Sequence, residues 1–150
     1  MTALYLGTGK LEQYLVEKLQ NKIQASDELN FTLLLDYMRG TRINRDGNSS
    51  LRLVKPIKTG NFLKNVRLGF YHNPDTNVLR GKMSNSPLRE IFGVHHMKAH
   101  VFDNDVLLTG ANLSEDYFTD RQDRCVVIQD CEPLADWFHE LISILTDCSY

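Results

Sequence analysis

The segment His95-His96-Met97-Lys98-Ala99-His100-Val101-Phe102-Asp103 concentrates the reactive side chains of this 150-residue chain. In extended backbone the faces alternate, so His96, Lys98 and His100 share one side while Met97, Ala99 and Val101 share the other. An imidazole beside an ammonium suits a phosphate diester. The ring attacks phosphorus, and the lysine neutralises the nonbridging oxygens as charge builds on them. That scheme calls for no metal and no cofactor. His96 and His100 are four apart, as two zinc ligands on a helix would be. No Glu follows His96, however, and the segment reads as strand, which disfavours zinc. Taken alone, the segment also fits a polar strand face with ordinary histidines.

The scaffold that must hold these groups reads as alternating helices and strands. Apolar runs at 93–102 and 106–109, separated by Asp103-Asn104-Asp105, predict a hairpin. Leu11, Leu15, Leu19 and Ile23 recur every four residues, the stripe of an amphipathic helix with Thr8 as its N-cap. Residues 29–37, LNFTLLLDY, predict a buried strand. Arg39, Thr41 and Arg42 follow its C-terminal end, where α/β sheets deliver ligand-binding groups, and guanidinium suits phosphates. A turn at Asp46-Gly47-Asn48-Ser49 leads to a short helix over 51–57 capped by Ser50, and residues 65–72 alternate as a second strand. Residues 73–89 predict a long loop or short helical turns. A short helix is expected over 114–119, and CVVIQ at 125–129 reads as a buried strand. The last helix starts near Pro133 and places Leu134, Trp137, Phe138, Leu141, Ile142 and Leu145 on one side, with Trp137 and Phe138 expected in the core. The predicted class is α/β, a mixed β-sheet flanked by helices, in a single domain over 1–150.

Composition narrows the partners. With 42% hydrophobic and 24% charged residues the chain has the make-up of an ordinary globular domain. Its net charge of -2 gives no global argument for nucleic-acid binding. No stretch approaches 18 apolar residues, so any lipid contact is expected to be peripheral. Cys125, Cys131 and Cys148 form no CxxC pair and read as free structural thiols in a reducing compartment. The opening MTALYLGTGKLEQYL has the pattern of neither a secretory signal nor a transit peptide. His72 and His139 read as ordinary residues, and His95 and His100 have no assigned chemistry.

His96-x-Lys98 followed by four residues and Asp103 resembles the HxKxxxxD (HKD) signature of the phospholipase D superfamily. In a chain of this composition the three fixed positions would recur by chance in roughly 0.02 of sequences. Gly110-Ala111-Asn112 resembles the superfamily's GSxN element, with Ala at the Ser position and Asn one place early. DYMRGTR (36–42), HHMKAHVFD (95–103), TGANLSEDYFTDRQDR (109–124) and QDCEPLADWFHEL (129–141) together resemble the mitochondrial, eukaryotic-type phosphatidylglycerophosphate synthases. The opening LYLGTGKLEQYLVEKL is similar to the start of that family's first catalytic half.

The resemblance implies a phospholipase D-like half carrying one HKD motif, a fragment or short isoform of a two-motif enzyme. It implies phosphatidyl transfer from CDP-diacylglycerol to glycerol 3-phosphate, giving phosphatidylglycerophosphate and CMP, in cardiolipin and phosphatidylglycerol biosynthesis. His96 would be the nucleophile, forming phosphatidyl-His96, with Lys98 clamping the phosphate and Asp103 in support. Asn112 would add a hydrogen bond to the same phosphate, Arg39 and Arg42 would bind the donor's phosphates, and Asp123 would orient the His96 ring. A second HKD half, in the same longer chain or a homodimer mate, would complete the site. Peripheral membrane contact and a mitochondrial location follow from the family, and nucleic acid is not an expected partner. Water as acceptor would instead make a phospholipase or nuclease, another phosphatidyl group a cardiolipin-synthase-like enzyme, and a lone motif an incomplete half.

Overall fold

The structure is a computed structural model, and it describes residues 1–58, 65–73 and 93–150. From residue 74 onward the expected loop over 73–89 lies outside the described residues.

A six-stranded mixed sheet forms the middle layer, in the order β3-β2-β1-β4-β5-β6. Strands β1 (Thr2–Ala3), β2 (Phe31–Asp36) and β3 (Val66–Tyr71) run parallel. Beyond β1, strands β4 (Ala99–Phe102), β5 (Asp105–Thr109) and β6 (Cys125–Ile128) alternate antiparallel. The apolar run of β2 is explained by its place near the middle. Leu33 and Leu35 pack with Val16 and Ile23 on one face, and Leu34 packs with Ala135, Phe138 and Ile142 on the other. A strand covered on both faces reads as a continuous apolar run, and each buried leucine contributes about 1.5–3 kcal/mol relative to exposure.

Helix α1 (Lys10–Ala25) covers the first face, with its buried stripe rotated from the one predicted. Glu12, Val16 and Ile23 are buried and Leu15 and Leu19 partly so, whereas Leu11 is exposed. Its N-cap is Gly9, not Thr8, whose hydroxyl accepts a hydrogen bond from Asn44 Nδ2 at 2.9 Å. The RGTR turn expected after β2 begins as a short helix, α2 (Tyr37–Thr41), because Asp36 caps it by accepting from the Arg39 amide at 2.8 Å. Helix α3 (Ser50–Val54) runs on into a 3-10 turn, Lys55–Lys58. Its cap is Ser49 rather than Ser50. The Ser50 hydroxyl is buried, donating to the Leu6 carbonyl at 2.5 Å and accepting from the Leu6 amide at 3.1 Å. Helices α4 (Glu115–Thr119) and α5 (Glu132–Asp147) follow among the described residues.

Two expectations of burial fail. Strand β6 was predicted buried, yet Val126 and Val127 are about half exposed, because β6 is an edge strand and α5 packs over β2 to β5. Trp137 was predicted in the core but is 55% exposed, lying edge-on against Phe138, which alone of the pair turns inward. All three cysteines are free. Among the described residues no helix is long and apolar enough to cross a membrane.

Candidate active site

The strand directions bring the C-terminal ends of β1, β2, β3 and β5 to the same end of the sheet as the N-terminal ends of β4 and β6. Leu4 to Gly7, Asp36 to Arg42, His95 to Lys98, Gly110 to Asn112 and Asp123 therefore belong to one rim. His96 and Lys98 precede β4 rather than lying in it, since the strand begins at Ala99. The predicted alternation still holds: Ala99 and Val101 pack under α5, while Lys98 and His100 are buried on the other side.

Lys98 folds back on its own segment. Its Nζ donates to the His96 carbonyl at 2.9 Å and lies 3.0 Å from His96 Nδ1. Lys98 is buried and His96 exposed, so the cation is sheltered while the ring faces outward. Burial pushes the Lys98 ammonium below its ordinary pKa, and the Asp123 charge pulls it back up. The His96 imidazolium is disfavoured by partial desolvation and then by Lys98, with Asp36 countering. An ammonium at Lys98 makes Nδ1 the acceptor, which puts the proton of the neutral ring on Nε2.

Asp36 is the joint of the site. Its carboxylate is 2% exposed and accepts two backbone amides, Arg39 at 2.8 Å and His95 at 2.9 Å. One side chain thereby ties the end of β2 to the first turn of α2 and to the strand-less run ahead of β4. Burial raises its pKa, and the backbone bonds lower it again. His95 is the next brace. Its ring is buried, meets the Thr2 hydroxyl through Nε2 and tilts against Tyr71, with burial holding its pKa down to about 4. Sequence reasoning assigned no role to Asp36, Thr2 or His95. The available signal was a carboxylate closing an apolar strand immediately before an arginine-bearing turn.

Arg39 and Arg42 line a cavity of about 220 Å³ together with Tyr5, Gly7, Thr8 and Ser49. The Arg39 guanidinium lies 5.0 Å from the Tyr5 ring centroid. Arg42 has its pKa lowered by burial and by the Arg39 charge, with Asp36 opposing, so the two cations feel one another across the cavity. Such a pair favours an anion with more than one charge. Asn112 is buried, and among the described residues its Oδ1 finds no hydrogen-bond partner. A buried, unpaired acceptor is costly, which marks this amide as a group awaiting a donor.

Two of the expected residues stand apart from the His96 ring, Asp123 by its hydrogen bonds and Asp103, expected in a supporting role, by its place at the end of the strand. Among the described residues Asp123 makes no hydrogen bond to the His96 ring: its Oδ1 accepts from the Gly110 and Arg124 amides at 3.1 and 2.7 Å, and it is Lys98 that meets His96 Nδ1. A side chain on Gly110 would come within 2.7 Å of that carboxylate, so glycine leaves room for the bond. Asp103 sits at the opposite end of β4, exposed, in the left-handed turn (φ 52°) that joins β4 to β5. Five residues of extended chain put it roughly 16 Å from Lys98. Contact with a phosphate at His96 is incompatible with that position. Among the described residues no three His, Cys, Asp or Glu side chains lie together as metal ligands would.

No family model matches the chain. It is 40% identical over 149 residues to the probable CDP-diacylglycerol–glycerol-3-phosphate 3-phosphatidyltransferase of Dictyostelium discoideum, covering 99% of the chain and 26% of that protein. The human mitochondrial enzyme of the same name is 40% identical over 155 residues, and the Schizosaccharomyces pombe enzyme 32% over 150, with 27% and 29% of those proteins covered. The chain thus spans about a quarter of the length of the curated relatives it matches. Among solved structures, phosphatidylserine synthase from Haemophilus influenzae superposes with a TM-score of 0.68 at 23% identity, covering 95% of this chain and 30% of that one. Nuc from Salmonella typhimurium, a phospholipase D family member, gives 0.63 at 18% identity, covering 100% and 78%. The chain therefore has the phospholipase D fold and is homologous to one segment of the CDP-diacylglycerol–glycerol-3-phosphate 3-phosphatidyltransferases.

Proposed function

We propose that this chain is a phospholipase D-like domain of a phosphatidyltransferase that moves the phosphatidyl group of CDP-diacylglycerol to glycerol 3-phosphate. The observation that carries the proposal is the His96–Lys98 pair at the rim of the sheet, on the same rim as the paired arginines of a polyanion-sized cavity. Homology to enzymes of that name supports the choice of donor and acceptor.

In the resting geometry the proton of the neutral ring is on Nε2, which blocks attack from that nitrogen. A phosphate arriving beside Lys98 offers the ammonium a stronger, anionic partner than imidazole. Release of Nδ1 lets it carry the ring proton and leaves the Nε2 lone pair free. Nε2 then attacks the diacylglycerol-bearing phosphorus, the bond to the CMP oxygen breaks, and phosphatidyl-His96 remains. Lys98 neutralises the nonbridging oxygens, the Asn112 Nδ2 amide donates a hydrogen bond to them, and Arg39 and Arg42 hold the remaining phosphate charge. Asp123 sustains the charge of Lys98 from behind. The primary hydroxyl of glycerol 3-phosphate then attacks the phosphohistidine, giving phosphatidylglycerophosphate and restoring His96.

One imidazole cannot be both the nucleophile and the acid for its own leaving group. The mechanism therefore includes a second HKD motif, from the rest of a longer polypeptide or from a second copy paired across a twofold axis. Its histidine protonates CMP on departure and deprotonates the acceptor. The lipid substrate implies peripheral contact with a membrane, and kinship with mitochondrial enzymes supports a mitochondrial location.

The test is CMP release from CDP-diacylglycerol by the purified chain, with and without glycerol 3-phosphate, beside His96→Ala. Release that needs glycerol 3-phosphate and disappears in the variant supports the proposal and requires a second copy to supply the acid. Release that proceeds equally with water refutes the acceptor. A folded chain that releases nothing, alone or with the second motif restored, refutes the activity.

A further inference from the structure

The charge of the chain is unevenly placed. Residues 37–58 hold six cations, Arg39, Arg42, Arg45, Arg52, Lys55 and Lys58, against the single carboxylate of Asp46. The other 128 residues hold eleven cations against eighteen carboxylates. A chain of net charge -2 thus carries a local excess of five positive charges in 22 residues. Arg45, Arg52, Lys55 and Lys58 are exposed, and among the described residues none of them forms an ion pair.

Apolar groups lie among these charges. Ser50, Val54 and Ile57 turn into the core, which sets Leu51, Lys55 and Lys58 along the neighbouring stripe of α3 and its 3-10 extension. The stripe borders a mainly apolar cavity of about 270 Å³, whose other walls include Tyr37, Phe70 and Tyr150. Leu51 is 40% exposed and Ile43 58% exposed. Leu51 and Ile43 thus stand in water near lysines that form no ion pair among the described residues. They fit a surface that meets phosphate headgroups and the acyl region beneath them.

We propose that the face formed by residues 42–58 seats this domain on an anionic lipid bilayer, with Lys55 and Lys58 at the headgroup phosphates and Ile43 and Leu51 entering the acyl boundary. The inference deepens the proposed phosphatidyl transfer by assigning the surface that meets the lipid. Tyr37, in the cavity wall, directly follows Asp36, the carboxylate that holds the His95 amide. The face thus adjoins, through Asp36 to Arg42, the rim that carries His96.

The test is co-sedimentation of the whole chain with vesicles of phosphatidylcholine alone and with equimolar phosphatidylcholine and phosphatidylglycerol, at low and high salt. The chain should bind the anionic vesicles, release them as salt rises, and leave the neutral ones in solution. Neutralising two surface lysines, Lys55→Gln with Lys58→Gln, should weaken partition about thirtyfold, and Leu51→Ser about tenfold, with unchanged circular dichroism. Lys18→Gln with Lys22→Gln on α1 should bind as the parent does. The proposal is overturned by equal binding to both vesicles, by an equal loss in the α1 pair, or by tighter binding to a single-stranded oligonucleotide. His96→Ala should partition normally, so a failure of chemistry and a failure of docking are read separately.

Discussion

The two ends of β4 carry the two ends of one sequence signature and have opposite physical character. At its start, Lys98 and His95 are buried and the Asp36 carboxylate, also buried, accepts two backbone amides. At its end, Asp103 is exposed in a left-handed turn. A motif with fixed spacing can thus span a strand, with the proposed chemistry at one rim and chain reversal at the other. The comparison predicts large effects at the first end and almost none at the second.

His96→Ala should abolish transfer, by at least about 10³-fold, since His95 and His100 are buried and His96 is the exposed imidazole beside Lys98. Lys98→Met should come next, about 10²- to 10³-fold in kcat, because it removes the charge opposite the phosphoryl oxygens. A loss in Lys98→Met seen only in KM would place the lysine in substrate binding and break its pairing with His96.

Asp36→Asn sharpens the comparison within the buried end. The carboxylate accepts from two amides, but a carboxamide offers one oxygen, so either the Arg39 or the His95 amide would face an NH₂ group. The expected cost is about 1–3 kcal/mol in urea unfolding. A fall of roughly tenfold in kcat at unchanged KM would mark displacement of His96 through the His95 backbone, beyond mere loss of stability. Full activity in a destabilised Asp36→Asn would reduce Asp36 to a helix cap.

Acid should loosen the same region. Burial holds both His95 and His100 to about 4, against 6.5 for an ordinary imidazole. The unfolded chain then binds the extra protons, so their contribution is full above pH 6.5 and is lost as pH falls from 6.5 toward 4. Each should add a slope of about 1.4 kcal/mol per pH unit inside that window. Urea midpoints measured between pH 7 and 5 check this, and a flat profile would mean that both rings are charged in the fold.

Much of this was legible in the sequence because it depends on local pattern. LLLD gave a buried strand, the alternation from Met97 to Val101 gave the correct faces, and His96-x-Lys98 gave the pair. Other features depend on neighbours that no window contains. CVVI and LLL have the same apolar character, and only sheet order decides that β6 lies at an edge while β2 lies inside. Trp137 and Phe138 are adjacent, so a helix can bury only one of them fully. The roles of Asp36 and Asp123 were hidden for another reason: each acts by accepting backbone amides, 59 residues away in sequence in the case of Asp36 and His95. Backbone donors have no residue type to read.

The smallest predicted effect is the sharpest test of the comparison. At φ 52° an aspartate pays a conformational cost that glycine does not, since its Cβ crowds the backbone in the left-handed region. Set against this, glycine gains more freedom in the unfolded chain, and the two terms nearly cancel. Asp103→Gly should therefore change stability by less than about 1 kcal/mol and leave kcat and KM within twofold. Asp103→Val should be worse than Asp103→Gly, because a β-branched side chain cannot adopt that backbone. Equal and severe loss of activity in both variants, with folding intact, would show that the carboxylate itself reaches the chemistry. The two ends of β4 would then have to be brought together by a rearrangement of the hairpin, and the separation of roles along the strand would fail.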